Sequence, residues 1–290
     1  RDEARALASG CRYFALFSVL MEDAVVSDLE LTDVYANITY PATAYVAGIA
    51  SYMGGTSESD SYKGAIIDNC RVTGEMTLVQ DSGNCFLAGI AAYQYKGAII
   101  NCSTDIDLYG TVNGEALAEV GGLTALSNRG LVANCYTTGD IYGSGCREDG
   151  MEGMAAISNM VAVDGAALTG CYASGNITAK EFSTYTGAVT GWVTGIGKAY
   201  SCWYNGEAVM KVRGQKIDPV ESVGTKVASG VSEDGLHYSG AVVDELEPYT
   251  AETYAAVADK LNAKFSEYPI DVTLYGVGTG DLYKWTYADG

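Results

Sequence analysis

The sequence has few residues suited to acid–base or metal chemistry. Its 290 residues include a single histidine, His237, and no HExxH frame surrounds it. A zinc protease or a Ser-His-Asp hydrolase would therefore depend on this one residue. Nucleotide-binding signatures are also lacking, because no glycine-rich loop ends in Lys-Ser or Lys-Thr and no GxGxxG segment follows a predicted strand. These absences argue against a zinc protease, a Ser-His-Asp hydrolase and a nucleotide-dependent enzyme.

Positive charge is scarce as well. The chain carries 17 lysines and arginines against 36 aspartates and glutamates, which gives a net charge of -19 and a pI near 4.2. Such a charge repels phosphate backbones and anionic membrane surfaces. No run of about 18 apolar residues occurs, so no segment is predicted to span a bilayer. We therefore expect neither nucleic acid as a partner nor insertion into a membrane.

What the sequence does contain is a repeat. Five of its eight cysteines follow one another at intervals of 31 to 36 residues, and Leu29 takes the same place 41 residues before the first of them. The five are Cys70, Cys102, Cys135, Cys171 and Cys202. Self-similarity at such a period is the signature of an array in which each unit packs only on its neighbours.

Each repeat contains two strand-like pieces joined by turns and shows no helical periodicity. The 36 glycines and 22 tyrosines of the chain suit short strands and turns. A unit of roughly 30 residues built in this way cannot bury its apolar side chains alone, so like strands of successive units should pair in parallel. Parallel connections are right-handed by default. We predict an all-β protein, with a right-handed parallel β-helix (β-solenoid) of about six rungs over residues 1–210.

The cysteine register predicts the environment of the thiols. No C-x-x-C pair is present, so a zinc cluster is not expected. A residue that returns once per repeat at an apolar site follows the pattern of a small buried hydrophobe, which is how free cysteine usually behaves. Cysteines on adjacent strands would nevertheless lie about 4.8 Å apart, which a disulfide allows. We predict five inward and mainly reduced thiols, with pairing of some of them as the alternative.

A second periodic position directly precedes the cysteine. It holds a small polar residue or glycine in all six copies: Asp28, Asn69, Asn101, Asn134, Gly170 and Ser201. These residue types tolerate left-handed backbone, and their side chains can bond to neighbouring backbone groups. We therefore predict a tight corner in every unit, with the polar side chains stacked into a ladder.

An aromatic row is expected one residue past the cysteine, where strand alternation points side chains outward. Its members are Tyr136, Tyr172 and Trp203. Flat rings that recur at one register offer a large apolar surface on which sugar rings could stack. We predict that these three residues bind a glycan. The alternative interpretation is that aromatic residues simply suit strand surfaces.

An acidic row is expected five residues past the cysteine. It contains Val34, Glu75, Asp107, Asp140, Asn176 and Glu207. Adjacent carboxylates about 4.8 Å apart repel each other by about 0.9 kcal/mol in water, so the row must stay hydrated or hold a cation. We favour a hydrated face and expect no cofactor. A Ca²⁺ ion held by Asp107 and Asp140 is the alternative.

The repeat stops after Met210. We predict that residues 211–290 form a capping region, because a stack of strands needs an end that covers its last open edge. Residues 250–265 place apolar side chains on one helical face, which predicts a helix. Residues 271–275 and 282–286 flank a glycine-rich turn and are predicted to form a hairpin.

The motif Gly-x-Val-x-Asn-Cys-Tyr-x-Thr-Gly-x-Ile at residues 130–141 resembles the GLUG-type repeat of large bacterial cell-surface proteins, and residues 170–177 match part of it. The resemblance covers roughly residues 13–210. It implies a right-handed β-helical, adhesin-like module, at the cell surface or secreted, within a larger protein. Related repeats flank catalytic domains in some surface proteases. The resemblance thus implies a non-enzymatic structural and adhesive module whose ligand is a glycan or a host surface protein.

An enzyme is the alternative hypothesis, because β-helices also host polysaccharide lyases and glycoside hydrolases. Such sites gather carboxylates on one face, often with Ca²⁺. The sequence offers one acidic cluster for this role, formed by Asp105, Asp107 and Asp140, and lysine and arginine are sparse around it. A cleft with two carboxyl groups about 5 to 9.5 Å apart would favour the enzyme.

Overall fold

The computed structural model describes residues 10–58, 61–114, 116, 118–144, 154–155, 158–162, 166–180, 186–193, 196–224, 242–264 and 270–286. His237 lies outside these residues. Within the described ranges, no helix combines the length and the apolar character that crossing a membrane requires.

Six successive units of the chain each contribute a matching series of strands. The first unit contains β1 (Arg12–Phe14), β2 (Phe17–Leu20), β3 (Val25–Ser27) and β4 (Glu30–Tyr40). The second contains β5 (Ala44–Ala47), β6 (Ala50–Met53), β7 (Ile66–Asp68) and β8 (Arg71–Gln80), and the third β9 (Cys85–Ala88), β10 (Ala91–Tyr95), β11 (Ala98–Ile100) and β12 (Ser103–Val112). The fourth contains β13 (Ala118–Gly121), β14 (Thr124–Asn128), β15 (Leu131–Ala133), β16 (Tyr136–Thr137) and β17 (Ile141–Ser144). The fifth contains β18 (Met154–Ala155), β19 (Ser158–Ala162), β20 (Ala167–Thr169), β21 (Tyr172–Ala173) and β22 (Ile177–Ala179), and the sixth β23 (Thr186–Gly187), β24 (Thr190–Val193), β25 (Lys198–Asn205) and β26 (Met210–Val212).

In the part of the chain that the structure describes, like strands of successive units pair in parallel and form three sheets. The first sheet has the order β1-β5-β9-β13-β18-β23, and the second has the order β2-β6-β10-β14-β19-β24. The third sheet collects the remaining strands of all six units. The prediction of an all-β protein with parallel pairing between repeats is confirmed.

One apolar core receives side chains from all three sheets. Strand β12 illustrates why, because its side chains alternate between the two faces of the sheet. Ile106 and Leu108 are buried, whereas the intervening Asp107 is partly exposed. Full burial of an isoleucine or leucine side chain stabilises a fold by about 1.5–3 kcal/mol, and the repeat multiplies this contribution along the stack.

The five repeated cysteines lie in this core, as predicted. All five are buried and free. Each thiol from the third to the fifth unit accepts a hydrogen bond from the cysteine N–H one unit earlier, at 3.3 to 3.4 Å. The Cys102 thiol also donates to the Ile100 carbonyl at 3.0 Å. Burial raises the pKa of Cys135 and Cys202 well above the ordinary thiol value, which keeps both in the unreactive protonated form.

The polar corner is also confirmed. All six residues of the ladder have left-handed backbone, with φ between 50° and 62°. The Asn69 side-chain amide donates to Asp28 Oδ1 at 2.6 Å, and that of Asn134 donates to Asn101 Oδ1 at the same distance. Asn101 departs from the pattern, because its Nδ2 donates to Asp68 Oδ1. The left-handed corner is thus confirmed in all six units, whereas the side-chain ladder is confirmed only between the first and second units and between the third and fourth.

The region after Met210 extends the third sheet before it leaves the stack. Strand β27 (Gln215–Ile217) forms an antiparallel pair with β26, and β28 (Val242–Tyr249) runs parallel to β25. A 3-10 turn (Tyr254–Ala256) and the short helix α1 (Val257–Lys264) follow. The predicted helix is thus present, although its α-helical part begins seven residues later than predicted. A domain boundary at residue 210 stays a prediction.

The predicted hairpin near the C-terminus is wrong. Residues 271–275 contain a 3-10 helix (Val272–Tyr275), and residues 282–286 form no strand. The Asp271 carboxylate accepts the Thr273 N–H at the start of the turn, and Gly276 ends it with φ 87°. The apolar side chains of this segment pack against the outer face of the third sheet instead of pairing with each other; they are Ile270, Val272, Tyr275 and Val277.

Candidate functional site

The three predicted aromatic residues form a row in register. Tyr136 pairs with Tyr172, and Tyr172 pairs with Trp203, on adjacent parallel strands of the third sheet. The two tyrosine rings lie almost parallel, at 3°, with their centroids 5.0 Å apart. The prediction that the three side chains share one register on the outer face of the sheet is confirmed.

The expected exposure of this row is wrong for Trp203, which is only 2% exposed. Its ring packs against Tyr249, Val257 and Leu261, which belong to β28 and α1. Strand alternation identifies the face to which a side chain points, but it does not reveal that another part of the chain covers that face. Tyr136 and Tyr172 remain partly exposed.

A cavity of about 410 Å³ lies between the aromatic row and the C-terminal part of the chain. Tyr136 and Tyr172 line one side, and the corner residues Asn101 and Asn134 line another. Helix α1 and residues 283–286 complete it. Its volume falls in the range of about 300–1,000 Å³ that is usual for small-molecule sites. Two of the three predicted glycan-binding residues, Tyr136 and Tyr172, thus line the cavity, whereas Trp203 is not among the lining residues.

Residues 270–286, which we call the C-terminal strap, cover the aromatic row. The Trp285 ring centroid lies 5.4 Å from that of Tyr172 and 6.0 Å from that of Tyr136. Asn262 on α1 holds the backbone of Trp285 in two places, because its Oδ1 accepts the Trp285 N–H and its Nδ2 donates to the Trp285 carbonyl, both at 2.8 Å. This pairing fixes the indole over the two tyrosines.

The corner ladder holds the other part of the strap. Asn101 Nδ2 donates to the Asp281 carbonyl at 2.8 Å, and Asn101 Oδ1 accepts the Tyr283 N–H at 3.0 Å. Asn134 Nδ2 donates to the Tyr283 carbonyl at 3.0 Å. The asparagines therefore join successive units and also anchor the cover of the cavity.

Two polar atoms of the cavity residues have no hydrogen-bond partner among the described residues. They are Oδ1 of Asn134, a residue that is 5% exposed, and Nε1 of Trp285. Both hydrogens of the Asn134 amide are used, by Asn101 and by Tyr283. A water-sized probe reaches neither atom, so both lie within the packed wall and not on the open surface of the cavity.

The cavity is nearly uncharged. Of its described lining residues, Lys284 alone carries a formal charge, and none is Asp, Glu, His or Cys. Burial raises the pKa of Tyr172, and the Tyr254 hydroxyl 3.5 Å away raises it further. Tyr172 therefore stays neutral at physiological pH. The described walls offer aromatic faces and hydrogen-bonding groups, without a carboxyl pair for acid–base catalysis.

The acidic row lies outside the cavity, and the carboxylates of Asp107 and Asp140 accept hydrogen bonds from backbone amides. Asp107 Oδ1 accepts the Asp140 N–H at 2.8 Å, and Asp140 Oδ1 accepts the Asn176 N–H at the same distance. Among the described residues, no group of three or more acidic, histidine or cysteine side chains is placed to hold a metal ion. Asp105 lies on the same strand and accepts a hydrogen bond from the Thr138 hydroxyl.

The two ends of the acidic row differ from the prediction. Tyr35, rather than Val34, is in register with Glu75, because the pairing shifts between Leu31 and Val34. At the other end, Val209 rather than Glu207 follows Asn176 in the row, because the Val209 N–H donates to Asn176 Oδ1.

Sequence reasoning missed the residues that complete the cavity. The ladder had placed Asn101 and Asn134 at a corner, but their contacts with the strap depend on residues about 150 to 180 positions later. One signal was available: outward positions on the third sheet hold Ala98, Leu131 and Ala133, which all pack against strap residues. Apolar side chains on an outer face indicate that something covers it.

The comparisons with known proteins inform the fold. No model of a protein family matches the chain, and no curated protein is significantly similar to it. The fold is similar to that of a solved structure from Bacteroides ovatus, described as a candidate immunoglobulin A1 protease, with a TM-score of 0.50. The match covers 85% of this chain and 68% of the other at 16% sequence identity. At this identity the similarity concerns the fold alone.

Proposed function

We propose that the chain is a non-enzymatic binding module built on a right-handed parallel β-helix of about six rungs. The support is the order of the first two sheets, in which each of six units adds one strand beside that of the preceding unit. The hand follows from the strong preference of parallel connections for right-handed crossovers. The GLUG-type motif at residues 130–141 supports the same assignment.

In this proposal the module is extracellular and belongs to a larger bacterial surface protein, where it acts in structure and adhesion. Its ligand is a glycan or a host surface protein, bound in the cavity under the strap. The observation that carries the proposal is the stacked pair of Tyr136 and Tyr172 on the wall of a cavity of about 410 Å³. The structural neighbour is described as a candidate protease, and the GLUG-type resemblance includes modules that flank protease domains.

A polysaccharide lyase or glycoside hydrolase is less well supported. Glycoside hydrolysis generally needs two carboxyl groups facing one cleft. The described lining of the cavity contains none, and Asp105, Asp107 and Asp140 lie elsewhere with oxygens that accept hydrogen bonds from the protein. A carboxylate that caps a backbone amide is restrained for structure rather than placed for proton transfer.

A printed array of neutral, N-acetylated and sialylated oligosaccharides tests the proposal. We expect the 290-residue chain to bind a subset of these glycans, and Tyr136→Ala to weaken binding about tenfold through loss of ring stacking. Tyr142→Ala is the matched control, because Tyr142 also pairs with a tyrosine on the adjacent strand, Tyr109, with centroids 6.1 Å apart and rings tilted by 40°, outside the cavity lining. A blank array, together with no binding to human serum proteins, would contradict the proposed function.

A further inference from the structure

Two segments of the chain have the same sequence, Asn-Gly-Glu-Ala, at residues 113–116 and 205–208. An asparagine followed by glycine can lose its side-chain amide when the main-chain nitrogen of the glycine attacks the side-chain carbonyl carbon. Glycine favours this attack, because it has no side chain to hinder the approach and restricts the backbone least. Since the two segments contain the same four residues, the fold around them decides which one reacts.

The segment at 205–208 is restrained by hydrogen bonds. Asn205 is the last residue of β25 and pairs with Tyr249 of β28. The Gly206 N–H donates to the Tyr249 carbonyl at 2.8 Å, and Asn205 Oδ1 accepts the Glu207 N–H at 2.9 Å. The glycine nitrogen and the asparagine side chain would both have to give up these bonds before they could meet. Each bond lost in this way slows the reaction by up to about tenfold.

The segment at 113–116 follows β12 directly and lacks these restraints. Asn113 and Gly114 are exposed, and the Gly114 N–H has no acceptor among the described residues. The Asn113 side chain donates from Nδ2 to Asp81 Oδ1 at 3.1 Å. This bond engages the nitrogen that the reaction expels and not the carbon that is attacked. The attacking nitrogen is therefore available at Gly114, whereas at Gly206 it is held.

From this contrast we propose that Asn113 is a site of spontaneous deamidation and that Asn205 is protected. A bond forms between Gly114 N and Asn113 Cγ, the Cγ–Nδ2 bond breaks, and ammonia leaves with the proton of the glycine N–H. Water then opens the succinimide ring. Addition of water at Cγ gives aspartate, and addition at the main-chain carbonyl carbon of Asn113 gives isoaspartate. Water is the only co-reactant.

The modification changes the charge of one turn of the stack. Asp81 follows β8 as Asn113 follows β12, so the hydrogen bond between their side chains joins equivalent turns of neighbouring units. Deamidation replaces the donor by a second carboxylate, which Asp81 repels. Asn113→Asp reproduces the aspartate product and should melt below the parent at pH 7 but not at pH 3, where most carboxyl groups are protonated. An unchanged melting temperature at pH 7 would refute this effect.

Incubation of the folded 290-residue chain at mildly alkaline pH, followed by proteolysis and mass spectrometry, tests the site. We expect aspartate and isoaspartate to accumulate at least about tenfold faster at residue 113 than at residue 205. In urea the two sites should react at similar rates, because the restraints on Gly206 are lost. Equal rates in the folded chain, faster reaction at Asn205, or a difference that persists in urea would overturn the proposal.

Asn113→Gln is the control for the assignment of the modified residue. Glutamine keeps the amide but must close a larger ring, so product at position 113 should fall at least about tenfold while the rate at Asn205 stays that of the parent. Undiminished ammonia release from the folded Asn113→Gln chain would show that another amide reacts, and the proposal would then be wrong.

Discussion

The burial of Trp203 leads to the most direct prediction about stability. Its ring is 2% exposed and belongs to an apolar cluster with Tyr249 of the neighbouring strand β28 and with Val257 and Leu261 of α1. Truncation of a buried tryptophan to alanine typically costs about 3–5 kcal/mol, through lost burial and the cavity left behind. A fold of this kind is stable by about 5–15 kcal/mol in total. We therefore expect Trp203→Ala to lose a large share of the free energy of unfolding.

Trp203→Phe separates packing from hydrogen bonding. The indole N–H of Trp203 has no acceptor among the described residues, so its removal costs no hydrogen bond to them. The smaller phenyl ring keeps part of the apolar contact and leaves a cavity in place of the rest of the indole, so we expect a loss of about 1–3 kcal/mol, less than that of Trp203→Ala. The difference between the two variants thus isolates the packing of the ring under α1.

Urea denaturation followed by circular dichroism gives the free energies, and calorimetry gives the melting temperatures. At about 2 °C or more per kcal/mol, Trp203→Ala should melt at least about 6 °C below the parent. If Trp203→Ala instead falls within about 0.5 kcal/mol of the parent, as an exposed side chain would, the ring is not packed under α1. In that case the three aromatic residues would form the open stripe that the sequence suggested.

Three further predictions concern other parts of the molecule. Burial raises the pKa of Asp68, and the nearby carboxylates of Asp28 and Asp281 raise it further, whereas the hydrogen bond from the Asn101 amide lowers it. Because the folded pKa is higher than the unfolded pKa, the free energy of unfolding should fall as the pH rises from the unfolded value through the folded value. Asp68→Asn should be more stable than the parent at pH 7 and nearly equal to it at pH 3 by urea titration, and equal stability at pH 7 would contradict this. The five core thiols should react with a maleimide only after denaturation, and rapid labelling of more than two of them in the native protein would contradict their burial. Removal of residues 211–290 should cause self-association detectable by light scattering, because it uncovers β25 and the aromatic row; a monomer with the melting temperature of the parent would refute the capping role.

The repeat architecture could be predicted because its signals are local and recur. The inward cysteines and the left-handed corner each follow from one residue type at one register, and several copies of the pattern reinforce each other. Asn101 and Asn134 were placed correctly for this reason, with φ of 54° and 56°. Small shifts at the ends of the stack were not predictable, because the pairing shift near Val34 leaves no mark in the spacing of the cysteines.

The candidate site could be predicted only in part. Tyr136 and Tyr172 were found because they share an outward register, but the cover over them depends on contacts between distant segments. The apolar residues of the strap alternate in much the same way as those of a strand, and they were interpreted as half of a hairpin for that reason. These residues instead pack against the outer face of the third sheet, because contact with apolar outward residues such as Leu131 removes more apolar surface from water than an exposed hairpin would.

A crystal structure of the chain bound to the oligosaccharide that binds most strongly on the array would test the central claim most directly. We predict a sugar ring in the cavity lined by Tyr136, Tyr172 and Trp285, with a ring carbon within about 4.5 Å of an aromatic carbon of Tyr136. A ligand seated elsewhere, for example over Tyr109 and Tyr142 on the open part of the sheet, would contradict the claim that the cavity under the strap is the binding site.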